Sequence, residues 1–365
     1  MKIKGSKLQV VLLLSLVLSS MNTLAGELAE RFTEYQQALK ANDAEKIAAA
    51  AEGVYLAAES LSDSNANYAV AALNYGKALT RVKKLDQAET YLQKSLESHR
   101  KVYGEDDPRV IDPLLALAGL EAIQSWNGLK GKYRTFIRES LELAEKLEGK
   151  DSLLYANVAL EAGKIALERA KDSWAISYLQ PAYDAFSGPH RQYRRKHFFS
   201  AFYLGKYYLA REQFAAAEPM LADALQVVDS ADSGDSTLEM MTRAFLVKVY
   251  EEMGDADSAT EQAQAIGRAK PFDMNQEPEP LFRRTVEYPP KALKHRQEGY
   301  AVARFTITDT GLVEDIEIIE YDGSEAFGEA VIDFLEEARF APRFVDGQPV
   351  STADRKMKFS FNLAN

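Results

Sequence analysis

The sequence predicts a mostly α protein, an array of helical repeats followed by a small α+β domain. Three observations carry this. Residues 27 to about 268 are rich in Ala, Leu, Glu, Lys and Gln with few internal prolines, a composition that favours helix. Within that span a pattern of small residues recurs every 42–44 positions, the mark of a repeat architecture. From Leu281 onward the apolar period shifts to the alternation of strands. With 365 residues, 46% hydrophobic and 27% charged, the chain is long enough for two or three domains at about 150 residues each and can bury a sizeable core.

The same composition removes several functions. There is no cysteine, which excludes disulfides, thiolate catalysis and thiolate-bound metal. The four histidines, His99, His190, His197 and His295, form no H-E-x-x-H pair. A formal charge of −11 argues against a nucleic-acid partner, which calls for a basic footprint. No clustered acid–base pair or nucleophile motif stands out, so we expect no enzyme, no metal and no cofactor.

Taken in order, the first element is a signal peptide over residues 1–25. Lys2, Lys4 and Lys7 precede an apolar run from Val10 to Leu18, and Thr23 and Ala25 are small enough for cleavage after Ala25. Nine apolar residues fall short of the roughly 20 that span a membrane. Cleavage removes three lysines and no acid, taking the net charge from −11 to −14. An uncleaved inner-membrane anchor is the alternative.

The repeat array is expected over 26–268. Its frame is set by Gly76, Gly163 and Gly205. Twelve residues after each stands Ala88, Ala175 or Ala217, sixteen after stands Leu92, Leu179 or Leu221, and nineteen after stands Ser95, Ala182 or Ala224. The frame laid on Val247 gives Ala259, Ala263 and Ile266; Gly119, with two residues inserted near Trp126–Lys132, gives Tyr133, Ile137 and Ser140. Small residues let two antiparallel helices cross closely, and the leucine one turn beyond the alanine fills the space past the crossing. Residues 27–62 supply a further helix pair that fits the frame poorly, as a capping unit does. The pattern resembles the tetratricopeptide repeat, and the long period with the turn Val102-Tyr103-Gly104-Glu105-Asp106-Asp107-Pro108 resembles the 42-residue variety of kinesin light chains. That resemblance implies a groove for a protein segment and places the residue after the repeat glycine on it. Four of the five such residues are lysine, Lys77, Lys164, Lys206 and Lys248, with Leu120 the exception. They form either a ladder for an acidic segment of an unknown protein partner or a solvated helix face. The basic run His190–His197 reads as a solvated helix edge, and the aromatic stripe from Phe198 to Tyr208 as core and groove wall.

Pro271, Pro278 and Pro280 mark a linker over 269–280, and the last domain occupies 281–365. Tyr300–Ile307 alternates, with Ala301, Ala303, Phe305 and Ile307 on one side. Asp309-Thr310-Gly311 is a turn, and Leu312–Ile319 is a second strand whose phase shifts near Asp315, which predicts a bulge or a bend. Ser324 is placed to cap a helix with an apolar stripe of Phe327, Val331, Leu335 and Ala338. A last strand, Lys356–Leu363, alternates Met357, Phe359 and Phe361 with Lys358 and Ser360. Strand, strand, helix, strand implies a small sheet covered on one face.

Tyr288-Pro289 with Ala292, Glu298-Gly299, Gly311, Phe327 with Ala330-Val331, Ala338-Arg339-Phe340-Ala341-Pro342 and Gly347 with Pro349-Val350 together resemble the C-terminal domain of the TonB family. The resemblance implies a periplasmic domain that takes part in TonB-dependent transport. It grips a segment of an outer-membrane TonB-dependent receptor by adding it as a strand, through Glu287, Tyr288, Pro289 and the strand residues Lys356, Met357, Lys358, Phe359, Ser360 and Phe361. The energy-transducing members carry an anchor helix with a functional histidine and a proline-rich spacer. Here the N-terminal segment has no histidine, and the 26–268 array stands in the spacer's place. We therefore expect a periplasmic interaction protein with the array as scaffold; a membrane-anchored energy transducer is the alternative.

Overall fold

A computed structural model describes residues 24–59, 61, 63–124, 132–229, 236–269, 279–282 and 285–363. Most of the expected signal peptide (residues 1–23), the insertion near Trp126 and most of the expected linker lie outside them; Leu24 and Ala25 open the first helix. The chain forms two compact units, residues up to His190 and residues from Arg191 onward.

The first unit is built of consecutive helices α1 (Leu24–Ala41), α2 (Ala44–Glu59), α3 (Ala66–Arg81), α4 (Leu85–Tyr103), α5 (Ile111–Gln124), α6 (Lys132–Glu148), α7 (Leu153–Lys164) and α8 (Ile176–Ser187). Each packs on the next. Polar side chains begin several of them: Asn65 accepts from the Asn67 amide at 2.8 Å before α3, and Ser152 from the Tyr155 amide at 3.1 Å before α7, each relieving an amide that the first helical turn leaves unpaired. Asp107 does the same for Arg109 at 2.9 Å, with Pro108 opening the short turn that leads into α5.

The repeat frame corresponds to the packing. Every position it assigns in the five repeats, from Ala88 to Ile266, is at most 4% exposed. Its glycines have a definite job. A Cβ built on Gly76 would lie 2.7 Å from the Leu92 side chain, and one on Gly163 would lie 2.5 Å from Leu179. The leucine of the second helix thus fills the notch left by the glycine of the first. Gly119 departs from this rule, because its notch admits the Arg169 guanidinium, 2.5 Å from a would-be Cβ, rather than Ile137. Arg169 ends a π-helical turn over Ile165–Arg169, which shifts the side chains beyond it relative to an α-helical frame. Leu120, the one non-lysine in the series, is fully buried.

The second unit begins with α9 (Arg194–Leu209), α10 (Phe214–Asp229), α11 (Ser236–Met253) and α12 (Ala256–Ala269). The notch recurs: a Cβ on Gly205 would lie 2.7 Å from Leu221. The stripe of Phe198, Phe202, Tyr203 and Tyr207 is buried. These four helices, within the expected array, share the unit with the C-terminal sheet.

That sheet follows the short helix α13 (Pro290–Lys294) and is antiparallel, in the order β2-β1-β5, from β1 (Gly299–Ile307), β2 (Val313–Asp322) and β5 (Thr352–Phe361). Helix α14 (Ala326–Glu336) covers one face. The core joins Ala301, Ala303, Phe305 and Ile307 of β1 to Phe327, Val331 and Leu335 of α14 and to Phe340, Phe359 and Phe361. Alanines at the centre of β1 leave room for the aromatic rings, as a close-packed interior requires. Asp315 takes a left-handed backbone (φ 53°) beside the register shift between Arg304 and Thr306, so the phase change in the sequence is a bulge. Two readings need correction, and one element was not foreseen. Ser324 offers only its backbone carbonyl, to the Phe327 amide at 3.0 Å, and the N-cap residue of α14 is Glu325, without a side-chain cap. The last strand starts at Thr352, four residues early, by running through a second bulge where Asp354 is left-handed (φ 56°). A two-stranded hairpin, β3 (Arg343–Val345) and β4 (Gln348–Val350), precedes it; its Asp346-Gly347 turn, with both φ positive, is a strong hairpin signal.

Candidate functional site

Within the sheet, β5 pairs with β1 alone among the described residues, from Gly299 opposite Phe361 to Ile307 opposite Thr352. Its other side is an open edge, with backbone donors and acceptors available to an added strand. Its side chains alternate: Phe359 and Phe361 are buried and Met357 half-buried, whereas Lys356, Lys358 and Ser360 are exposed. The Lys358 ammonium lies 3.6 Å from the centre of the Tyr300 ring on β1, a cation–π contact.

The Tyr288-Pro289 segment meets the end of this strand. The Tyr288 ring stands edge-on to Phe361 (5.6 Å between centroids) and to Phe327 (5.8 Å), and those two rings stack at 4.3 Å. Aromatic pairs in these geometries gain attraction beyond their buried area. The Tyr288 hydroxyl donates to the Gln297 carbonyl. Pro289 is buried, which fixes the entry into α13, and Glu287 is exposed. At the strand end the Leu363 amide donates to the Glu298 carboxylate at 2.7 Å. Tyr288 and β5, the two parts of the predicted receptor site, are therefore neighbours.

The opposite edge, β2, is also open among the described residues but carries Glu314, Asp315, Glu317, Glu320 and Asp322. Some of these turn inward across the exposed face: Glu317 pairs with Arg304, and Glu320 accepts from the Tyr300 hydroxyl at 2.6 Å. One edge is acidic and the other carries Lys356 and Lys358. This asymmetry disfavours a common partner for both.

The repeat lysines divide between the units. Lys77 is exposed on α3, and Lys164, half-buried at the end of α7, lies 4.0 Å from Glu161. In the second unit Lys206 of α9 lies 5.5–5.9 Å from the centres of the Phe202, Tyr203 and Phe245 rings. Lys248 of α11 pairs with Glu252 one turn on. Three of the four thus engage neighbours of their own unit. Arg191, Arg194 and Arg195 of the basic run are exposed, with Arg194 donating to the Val227 carbonyl at 2.8 Å.

One cluster escaped the sequence reading. Arg339, 6% exposed, donates to the Thr260 hydroxyl at 2.6 Å and lies 3.6 Å from Glu251 of α11. Burial raises the Glu251 carboxyl above its ordinary range and lowers Arg339. The only signal was an arginine inside an apolar run. Among the described residues no group of three or more His, Cys, Asp and Glu is placed to hold a metal, and no helix is long and apolar enough to cross a membrane.

Comparison with known proteins matches two segments. Residues 284–363 match the family described as the Gram-negative bacterial TonB protein C-terminal domain, and residues 67–125, from α3 into α5, match the tetratricopeptide repeat. Among solved structures, the crystal structure of BtubC (BKLC) from P. vanneervenii is similar over 73% of this chain and 97% of that one, at 17% identity and a TM-score of 0.49. No curated protein sequence matches this chain significantly.

Proposed function

We propose that this chain is a periplasmic interaction protein that takes part in TonB-dependent outer-membrane transport. Its C-terminal domain takes a receptor segment as an added strand on β5, and the repeat array serves as scaffold for a second protein partner. A protein-interaction role follows from the two domain types, TonB C-terminal and tetratricopeptide, both non-catalytic families. The TonB-type domain and the charged, apolar and small-residue pattern of residues 1–25 support the envelope location.

The observation that carries the receptor reading is the unpaired β5 edge with Tyr288 against its end. A peptide laid on that edge pairs its backbone with the strand, and alternate side chains face Lys358 and Ser360 on one side of the sheet. Partner choice then rests on few side chains.

Site-specific photocrosslinking in intact cells tests this. A benzophenone amino acid at Ser360, exposed on β5, is expected to give an adduct with an outer-membrane receptor. The same group at Tyr321, on the β2 edge and 54% exposed, is expected to give none. Equal labelling from both positions, or none from Ser360, overturns strand addition at β5.

A further inference from the structure

The segment Glu279–Phe282, at the junction of linker and C-terminal domain, lies on the helices of its own unit. Phe282 sets its ring edge-on to Phe245 of α11, 5.8 Å between centroids at 70°. Phe245 in turn meets Phe202 of α9 at 5.5 Å and 64°. The Lys206 ammonium lies 5.7 Å from the Phe202 centroid and 5.9 Å from that of Phe245. Phe202 and Lys206 are one turn apart on α9 and share a face. The helices therefore offer two aromatic rings beside a cation, and the chain's own Phe282 is seated on them.

This contact differs from core packing. Phe305, Phe327 and Phe340 are at most 1% exposed, whereas Phe282 and Leu281 are only half-buried and Glu279 is exposed. The segment is tied to the C-terminal domain by main chain: Pro280 forms an isolated bridge with Phe340, and the Leu281 amide donates to the Arg339 carbonyl at 2.7 Å. Its main chain is held by the C-terminal domain, and its contact with the helices is one aromatic side chain, an anchor of the kind that a helical groove takes from a peptide.

We infer that the Phe202–Lys206–Phe245 face is a peptide site occupied in cis by Glu279–Phe282. Its partner in trans is an extended protein segment with a carboxylate three residues ahead of an aromatic ring. The aromatic side chain replaces Phe282 on Phe245, and the carboxylate finds the cation of Lys206 near by. Binding there releases the segment that leads into the C-terminal domain. This rests on the reading of the repeat helices as a groove for protein segments, and the test separates the two.

The probe is a fluorescein-labelled Glu-Pro-Leu-Phe peptide, titrated by anisotropy into the full chain. If the cis segment fills the site about nine-tenths of the time, removing it strengthens apparent binding about tenfold. The expected result is weak binding to wild type, at least about tenfold tighter binding to Phe282→Ala, and loss of that binding when Phe245→Ala is added. Phe282→Trp, which keeps a ring in place, is expected to stay as weak as wild type. With Trp126 and Trp174, the chain's own two tryptophans, changed to phenylalanine, its emission is expected to shift to the red as the probe displaces it, a readout that does not require Phe282→Ala to fold. Equal affinity for wild type and Phe282→Ala, or an unmoved tryptophan with bound probe, overturns the cis occupancy alone. Absence of binding to any variant, or binding that survives Phe245→Ala, overturns the groove reading as well.

Discussion

The helical repeats and the C-terminal sheet both depend on glycine at a close approach, but against different neighbours. At Gly76, Gly163 and Gly205 the missing Cβ would meet a leucine side chain at 2.5–2.7 Å. At Gly311 it would meet the Phe340 carbonyl oxygen at 2.2 Å, with φ at +88°. A leucine can rotate or shift; a carbonyl fixed in a sheet domain cannot. The repeats are thus built to tolerate error at a crossing, and the crossing recurs. The sheet domain meets main chain instead, at Gly311 and again at Gly323, where a Cβ would lie 2.5 Å from the Glu298 carbonyl oxygen with φ at +87°.

The largest expected effect is at Gly311. The Gly311 carbonyl accepts from the Phe340 amide at 2.9 Å, so the two backbones lie against each other. Alanine there combines a left-handed backbone, about 1–3 kcal/mol, with a clash against main chain, about 1–3 kcal/mol. We expect Gly311→Ala to lower unfolding free energy by about 3–5 kcal/mol, measured by urea titration of the C-terminal unit's transition. A loss under 1 kcal/mol would mean that the turn is not rigid.

Next in size is Arg339. Removing one partner of a buried ion pair leaves the other charge uncompensated, at about 3–5 kcal/mol. Glu251 retains 28% side-chain exposure, so about 2–3 kcal/mol is expected for Arg339→Ala. The pH dependence follows from the raised Glu251 carboxyl. A carboxyl whose folded pKa lies above its unfolded value lowers stability as pH rises through that interval and costs nothing below it. Without Arg339 the folded value rises further. The deficit of the variant is therefore expected to be larger at pH 8 than at pH 4.5, read from melting temperatures at both; a pH-independent deficit would assign Arg339 a packing role only.

At the repeat crossings the effect is smaller. Alanine gains about 1 kcal/mol of helix propensity over glycine, while crowding of Leu179 costs about 1–3 kcal/mol. We expect Gly163→Ala to destabilise by a net 1–2 kcal/mol or so, and Gly163→Ala with Leu179→Ala to recover part of that in a double-mutant cycle. Strict additivity of the two changes would sever the link between notch and leucine.

These contrasts also explain what the sequence disclosed. A glycine facing a leucine sixteen residues on is a local rule, so the frame was readable and its positions are buried. The alternation of β1 and the bulge at Asp315 are local in the same sense. Arg169 in the Gly119 notch was not readable, because a π-turn breaks the fixed offset. The β3–β4 hairpin has strands of three residues, too short to alternate, although Asp346-Gly347 announced its turn. At the candidate site the exposure pattern of β5 was written in its alternation, but its nearness to Tyr288 came only through the family resemblance. The contacts of Phe282 with Phe245 and of Arg339 with Glu251 join distant segments, and no period records them.

The smallest effect has the opposite sign and is the sharpest check on the comparison. Gly53 is a half-buried glycine inside α2, and a Cβ there would meet only the Arg31 Cδ, at 3.5 Å. That is ordinary contact with a flexible side chain, so the crowding that penalises Gly163→Ala is absent. What remains is the helix preference for alanine, through less freedom lost on folding, about 0.5–1 kcal/mol. Gly53→Ala is therefore expected to raise the denaturation midpoint of the first unit slightly without changing the slope of the transition. The same substitution in the same kind of helix would then stabilise at one glycine and destabilise at the other. If Gly53→Ala and Gly163→Ala move the midpoint in the same direction, the neighbour met by the added methyl is not what separates them, and the notch account of the repeats fails with it.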